Sequence, residues 1–499
     1  MAEKLTAFFY LSATDLRMQL IDLKHQMIFE SLTSAPFTTI ADYQNELPKI
    51  ISTIKAGQQL MADYGVSDYN FWWNYQKINL IEATYICDQI KTKTGLCVEL
   101  LDLQQVAYLQ ATAALNLLQH TNQITTPTVF LMGLESQSIT LAKFVQRELV
   151  RTWRVDISRE ELEAIIDSMS NSAINPLEVI LDYLQTKLEY LRVELISQTS
   201  ASLLIQGADT LNQTFLQADE QLKQITFDKL QTCYQDVTGE PNQYLIDKYH
   251  ITDGYVNYFF FGVVLIHQIF QYIQPAQLFV TRDGLTEGLM LEQSKQQGLI
   301  KSNYEQIIMT VVINMAERYH TNLDHASQVA KFATHLFRQL KKLHRLPARD
   351  ELLLQIACYT SDIGNFISAS HHYDHSAYIL EANPIIGLSN EENQIITEMS
   401  RYHSSKSPAA QQYHYRHLDN DIQLTIAKLV AIIRLADALD DSHQQKIDNI
   451  SVSLQDMQLI ITVKSNQDLT LEQWSFEHKA KFFQEVYGIQ AILKQQRSK

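Results

Sequence analysis

The chain has 499 residues, too many for one compact core and enough for three or four domains. Its 46% hydrophobic and 19% charged residues are mixed without long runs of one sign, which excludes a disordered chain and describes an ordinary folded one. A formal net charge of −16, with no basic run longer than Lys341-Lys342, argues against nucleic acid as a partner and less strongly against polyphosphate, because a folded channel can gather distant basic side chains.

The first residues carry a short apolar run broken by polar ones, without a small-residue cleavage site, so no secretion signal is expected. Ala7–Leu11 and Met18–Leu23 read as strands, Asp42–Tyr64 as a helix and Cys97–Asp102 as a strand, an alternation that argues α/β. A second such unit opens with Pro127–Met132 and Ile139–Val145, continues through helices at Arg159–Met169 and Pro176–Gln198, and returns to a strand at Ser202–Ile205. The apolar stretch Tyr255–Ile269 carries Asn257 and His267 and is shorter than the roughly 20 residues that span a bilayer, so a buried helix and no membrane are expected. Cys87, Cys97, Cys233 and Cys358 form no CxxC pair, which leaves no disulfide framework and suits the cytoplasm.

From about residue 303 the apolar residues recur at helical spacing, as in Leu323, Ala326, Val329, Ala330, Ala333, Phe337 and Leu340. Near residue 446 they alternate instead: Ile450, Val452 and Leu454, a turn at Gln455-Asp456, then Leu459, Ile461 and Val463, with a last helix from about Gln473. The expected division is 1–122 and 123–300 for two α/β lobes, 301–445 for an all-helical domain and 446–499 for a small α/β cap.

Four separated strings carry a more specific signal: the stretch 324–337 (DHASQVAKFATHLF), the stretch 361–380 (SDIGNFISASHHYDHSAYIL), Arg401-Tyr402-His403, and 434–443 (RLADALDDSH). In order and spacing they resemble the HD-type helical domain of bacterial exopolyphosphatase/guanosine-pentaphosphate phosphohydrolase (Ppx/GppA) proteins. The segment 278–292 (LFVTRDGLTEGLMLE) resembles that family's closing segment of the second lobe. The resemblance implies two ribonuclease-H-like lobes of the actin/sugar kinase superfamily, followed by the HD-type domain and the cap. It also implies a homodimer and a phosphate-rich small molecule or polyphosphate as ligand.

The chain departs from the family where phosphate chemistry is done. The family's first loop, Asp-x-Gly-Ser-Asn-Ser, falls on Tyr10–Asp15, without the aspartate and the glycine. The second, Asp-x-Gly-Gly-Gly-Ser, falls on Leu131–Ser136 and keeps only Gly133 and Ser136, while Leu134 and Glu135 add bulk and negative charge. The carboxylate of Gly-x-x-Glu-Ala falls on Val106, or on Gln105 if the match slips by one, and neither can be a general base. A conserved arginine turn falls on Trp72–Asn79, which offers only Lys77, and a glycine-threonine turn survives as Gly207 and Thr210. Gly133, Ser136, Gly207 and Thr210 are thus the expected phosphate-binding remnants, and no catalytic residue is assigned. The low glycine count, 14 in 499, agrees with a chain not built to cradle phosphate on bare backbone.

An HD-type site holds a divalent cation on two histidines and two aspartates. By resemblance His325, Asp362 and Asp437 fill three of the positions, Ser361 replaces the second histidine, and His371, His372, His375 or His403 could lend a nitrogen. Mg²⁺ or Mn²⁺ is the implied cofactor, with His325, Asp362, His372, His403 and Asp437 as the set to watch. The alternative is a polar core without metal, in which Arg434 at i−3 balances Asp437. The function expected is a polyphosphate- or alarmone/nucleotide-binding regulatory protein with impaired phosphoanhydride hydrolysis. The alternatives are an active exopolyphosphatase or guanosine-pentaphosphate phosphohydrolase and an HD-domain phosphohydrolase.

Overall fold

The computed structural model describes residues 5–496 apart from 13–14, 35–36, 38–42, 76–77, 135–137, 158–160, 163, 166–175, 197–199, 208–210, 212–213, 218–219, 253–254, 301–303, 405–412 and 456. The chain forms two units, Met1–Tyr304 and Glu305–Lys499.

The first unit holds two mixed sheets. Strands β1 (Leu5–Leu11), β2 (Leu16–Asp22) and β3 (Met27–Thr33) form an antiparallel meander. Helix α1 (Tyr43–Asp63) then leads to β4 (Tyr69–Asn74), parallel to β1, and α2 (Leu80–Thr94) leads to β5 (Glu99–Leu101), giving the order β3-β2-β1-β4-β5. The inward residues of β1, β2 and β4 alternate as a half-buried sheet requires: Ala7, Phe9, Leu11, Met18, Phe71 and Trp73 meet Ile50 and Ile54 of α1 in one core. Trp73 packs on Tyr43 at 4.9 Å between ring centroids, and Trp72 on Phe8 of the opposite face at 4.9 Å, so both tryptophans are packing residues.

Helix α3 (Leu103–His120) precedes the second sheet, in which β6 (Thr128–Leu134), β7 (Ser138–Val145) and β8 (Glu148–Asp156) form another meander. After α4 (Pro176–Leu188), β9 (Ala201–Gln206) lies parallel to β6. Beyond β10 (Leu222–Ile225) and α5 (Val256–Ile273), β11 (Gln277–Thr281) lies parallel to β9, giving β10-β11-β9-β6-β7-β8. Three antiparallel strands followed by two parallel ones thus occur twice, a repetition plainer in topology than in sequence. Helix α6 (Leu285–Gln296) packs on α3 so closely that a Cβ on Gly288 would lie 2.3 Å from the Leu109 carbonyl oxygen.

Several elements differ from expectation. Strands β3, β4 and β8 lie in segments read as loop or not assigned, since β3 is exposed along nearly its whole length and shows no clear alternation. Helix α5 is longer than the apolar run suggested and is long and apolar enough to cross a membrane by length and composition, yet Val256, Phe259, Val263, Ile266, Ile269 and Ile273 on it lie in the second core. The helix expected at Arg159–Met169 lies largely outside the described residues.

The second unit begins with helices α7 (Tyr304–Arg318), α8 (Leu323–Gln339), α9 (Arg349–Thr360), α10 (His372–Ala382), α11 (Asn390–Tyr402) and α12 (Asn420–Ala438). It then adds a hairpin, β12 (Ile450–Gln455) and β13 (Gln458–Lys464), and helix α13 (Thr470–Tyr487). The chain does not end on that helix: β14 (Gln490–Gln496) follows and pairs parallel with β13.

Candidate functional site

In the first unit, Gly133 and Gln206 are register partners on the parallel strands β6 and β9, so Gly133 and Gly207 sit side by side near the C-terminal ends of these strands. Such strand ends are where open α/β sheets hold ligands. Gly207 has φ +82°, and a Cβ there would lie 2.8 Å from the Leu134 carbonyl oxygen, so glycine is required twice over. A Cβ on Gly133 would lie 2.7 Å from Oε1 of Gln110, a buried α3 side chain laid over this strand. The buried Gln206 Nε2 donates to the Gln110 carbonyl oxygen at 3.3 Å. Ser136, Thr210, Glu135 and Lys77 lie outside the described residues.

At the position matched to the family's base, Val106 is buried, and Gln105 closes a capping box: its Oε1 accepts from the Asp102 N–H at 2.9 Å, and its own N–H donates to Asp102 Oδ1 at 2.9 Å. In the first loop the Ser12 hydroxyl donates to Asp15 Oδ1 at 2.9 Å, and Arg17 bonds the other carboxylate oxygen at 3.3 Å. These polar groups therefore have internal partners.

The second unit brings its candidate residues together. Asn322 caps α8 by accepting from the His325 N–H at 3.2 Å, which sets His325 in the first turn with its ring turned inward and 2% exposed. Its Nδ1 lies 2.9 Å from Asp440 Oδ2 and its Nε2 3.2 Å from Asp437 Oδ1 and 3.8 Å from Asp362 Oδ2, while His443 stacks on the ring at 3.7 Å. Burial pushes this imidazole toward its neutral form, but the bonds to Asp437 and Asp440 prevail and hold its pKa up at about 10. Asp437 is opposed by burial in the same way, yet Lys479 and His325 keep it far below the usual carboxylate range.

The other oxygen of Asp362 faces a different pair, with Oδ1 3.4 Å from His372 Nε2 and 3.5 Å from His403 Nε2. His403 Nδ1 lies 2.7 Å from the Ser400 carbonyl oxygen and His372 Nδ1 3.3 Å from that of Ala369. Carbonyls only accept, so both Nδ1 atoms carry a proton, and the two Nε2 atoms lie 3.3 Å apart against the same carboxylate oxygen. Two imidazole nitrogens and a carboxylate oxygen converging on one place are a ligand set that could hold a cation, since the three atoms lie within 4.8 Å of one another. The carbonyl bonds behind the rings are the outer support that a metal-binding histidine ordinarily has.

Local packing explains the approach of His372 to Asp362. The 3₁₀ turn Ile363–Phe366 passes so near the start of α10 that a Cβ on Gly364 would lie 2.0 Å from the His372 carbonyl oxygen, and the Gly364 N–H donates to Ser376 Oγ at 2.8 Å. Gly364 is therefore a close-approach glycine within this turn. Ser361 turns its hydroxyl back to the Ala357 carbonyl oxygen at 2.6 Å and contributes nothing to the cluster. His371 bonds Tyr373 instead, and Arg434, expected opposite Asp437, donates to the Tyr402 carbonyl oxygen at 2.8 Å. The counter-ion of Asp437 is Lys479 on α13, which also bonds Asp441 at 3.0 Å. Asp440 and Lys479 were missed from sequence: Asp440 stood unexamined beside the motif, and Lys479 belongs to the terminal helix with no local mark of its partner.

Two mixed α/β sheets of repeated topology and a helical unit with a His/Asp cluster define the class of protein. Residues 307–480 match the family model Ppx/GppA phosphatase, domain III. A guanosine-5'-triphosphate,3'-diphosphate pyrophosphatase of Pseudoalteromonas translucida is 22% identical over 182 residues, 36% of each chain. That of Pseudoalteromonas atlantica is 25% identical over 180 residues, 35% of this chain and 33% of the relative. The chain thus spans about a third of the length of these relatives. Among solved structures, an exopolyphosphatase from Cytophaga hutchinsonii matches with 11% identity and TM-score 0.48, covering 59% of this chain and 98% of that one. The Aquifex aeolicus Ppx/GppA family member matches with 12% identity and TM-score 0.47 over 59% and 98%. Residues 307–480 are thus similar to domain III of Ppx/GppA phosphatases.

Proposed function

We propose that this protein binds a phosphate-rich anion, either polyphosphate or a guanosine nucleotide of the kind its relatives are named for, and acts as a regulatory protein with impaired phosphoanhydride hydrolysis. The observation that carries this reading is the pair at the matched base position: Val106 is buried and apolar, and Gln105 is committed to a capping box. Without a positioned base an attacking water keeps its proton, and the roughly 10²–10⁴-fold that general-base catalysis supplies is lost. Gly133 and Gly207 remain as points of close backbone approach, with Ser136 and Thr210 as the expected hydroxyls beside them. Two lobes of ribonuclease-H-like type, a homodimer and a cytoplasmic location belong to the same reading.

The test is release of phosphate from long-chain polyphosphate and from guanosine pentaphosphate with Mg²⁺ or Mn²⁺, run beside equilibrium binding of the same ligands. Binding with release slower than about 10⁻² s⁻¹ is the expected result, and turnover near the roughly 10 s⁻¹ of an ordinary enzyme would refute it.

A second reading concerns the helical unit and is favoured by the convergence of the Nε2 atoms of His372 and His403 with Asp362. Here Asp362, His372 and His403 would hold a divalent cation, which would supply positive charge toward phosphate oxygens. Two imidazoles and one carboxylate suit Mn²⁺ better than Mg²⁺, which prefers oxygen alone. The residues around it would orient that charge: Ser400 and Ala369 fix the two rings through their carbonyls, and His325 holds the far oxygen of Asp362.

A further inference from the structure

The helical cluster holds its protons unevenly on the two sides of Asp362. On one side His325 has a carboxylate oxygen against each ring nitrogen, Asp440 at 2.9 Å and Asp437 at 3.2 Å. Both nitrogens therefore serve as donors, and neither offers a lone pair. The remaining oxygen of Asp437 bonds the ammonium of Lys479, which reaches Asp441 at 3.0 Å. On the other side the Nε2 atoms of His372 and His403 face Asp362 Oδ1 at 3.4 and 3.5 Å, with no lysine or arginine paired to Asp362 among the described residues.

We infer that Lys479 is a built-in cation that fills the Asp437 side of the cluster in place of a metal ion and limits the centre to one divalent ion. The inference rests on the second reading above, that Asp362, His372 and His403 bind metal. Its own support is geometric. Lys479 is delivered by α13, where Ser475 one turn earlier donates to Asp441 Oδ1 at 2.8 Å and anchors the same carboxylate. The ammonium occupies the Asp437 oxygen that a second metal would need, and its charge would repel an ion placed beside it. A lysine in this role cannot be removed by chelators, so one side of the cluster keeps its shape whether or not the other is loaded.

The experiment counts Mn²⁺ bound per full-length chain by equilibrium dialysis and metal analysis, with circular dichroism to confirm folding. Wild type should bind one ion, and His403→Ala should bind none. Lys479→Met should bind two, because Asp437 and Asp441 lose their cation, whereas Lys479→Arg should stay at one. Should Lys479→Met be unfolded without metal, Mn²⁺ should restore its fold, and failure to do so would count against the inference. One ion in folded Lys479→Met, or two in wild type, would overturn it while leaving metal binding by Asp362, His372 and His403 intact. No ion in wild type would overturn both.

Discussion

The two candidate sites, at the ends of β6 and β9 and around His325, are built from different polar groups. Near the ends of β6 and β9, where the first unit would meet a phosphate, neutral amides close the space: Gln110 lies over Gly133 and Gln206 bonds the Gln110 backbone. In the second unit the buried groups are charged, with Asp362, Asp437 and Asp440 around His325 and Lys479. Neutral amides carry no net charge and need no counter-ion, whereas buried carboxylates require counter-ions and keep an appetite for cations.

The sharpest way to break this contrast is to delete the central cation of the charged interior. His325→Ala leaves Asp437 and Asp440 without the group between them, and loss of one partner of a buried ionic cluster costs about 3–5 kcal/mol. Urea unfolding of the helical unit should show that loss, and a change under 1 kcal/mol would mean that the charges are already neutralised by other means.

What the sequence made legible follows the same division. His325, Asp362 and Asp437 could be found because the strings that carry them resemble the HD-type helical domain of Ppx/GppA proteins. The rotamer of Ser361, which turns away from the cluster, and the reach of Lys479 from α13 across to α12 depend on tertiary packing and leave no local trace. In the α/β unit the twofold meander was hard to read because β3 is exposed and β8 carries Glu148, Arg151, Arg154 and Asp156 among its apolar residues. Gln110 offered no signal at all, being one glutamine among many on an amphipathic helix.

Next in size is the seam between α3 and α6. Gly288→Ala would set a methyl 2.3 Å from the Leu109 carbonyl oxygen, a backbone atom that cannot turn aside. Forced separation of two packed helices should cost about 2–3 kcal/mol in the first unit, read as a lower thermal midpoint for that unit alone. Gly133→Ala is the milder counterpart. Its methyl meets only the end of Gln110, a side chain free to choose another rotamer, so a loss of about 1 kcal/mol is expected. If Gly133→Ala proved as damaging as Gly288→Ala, the amide cover would be a rigid part of the core and not a flexible plug.

An effect of similar size to that of Gly133→Ala, but dependent on pH, separates the charged cluster from charge that is merely buried. Asp350, in the first turn of α9, is 8% exposed, and burial, with Glu392 adding repulsion, pushes its pKa up to about 6. Arg349 beside it is engaged by Glu392 at 2.7 Å. The folded state therefore holds this proton more tightly than the unfolded chain, whose aspartate titrates near 3.9. Between about pH 4 and pH 6 the native state binds more protons, so this group's contribution to stability falls as pH rises through that window and stays lost above it. Asp350→Asn removes the ionisation, and above pH 6 it should be more stable than wild type by about 1–2 kcal/mol, an advantage that shrinks to nothing by about pH 4. Urea midpoints at pH 4, 5, 6 and 7 would display the trend. An advantage that did not change with pH would mean that Asp350 is ionised throughout, its charge balanced by the amides at the start of α9, and the second unit would then hold buried carboxylates both with and without a cationic partner.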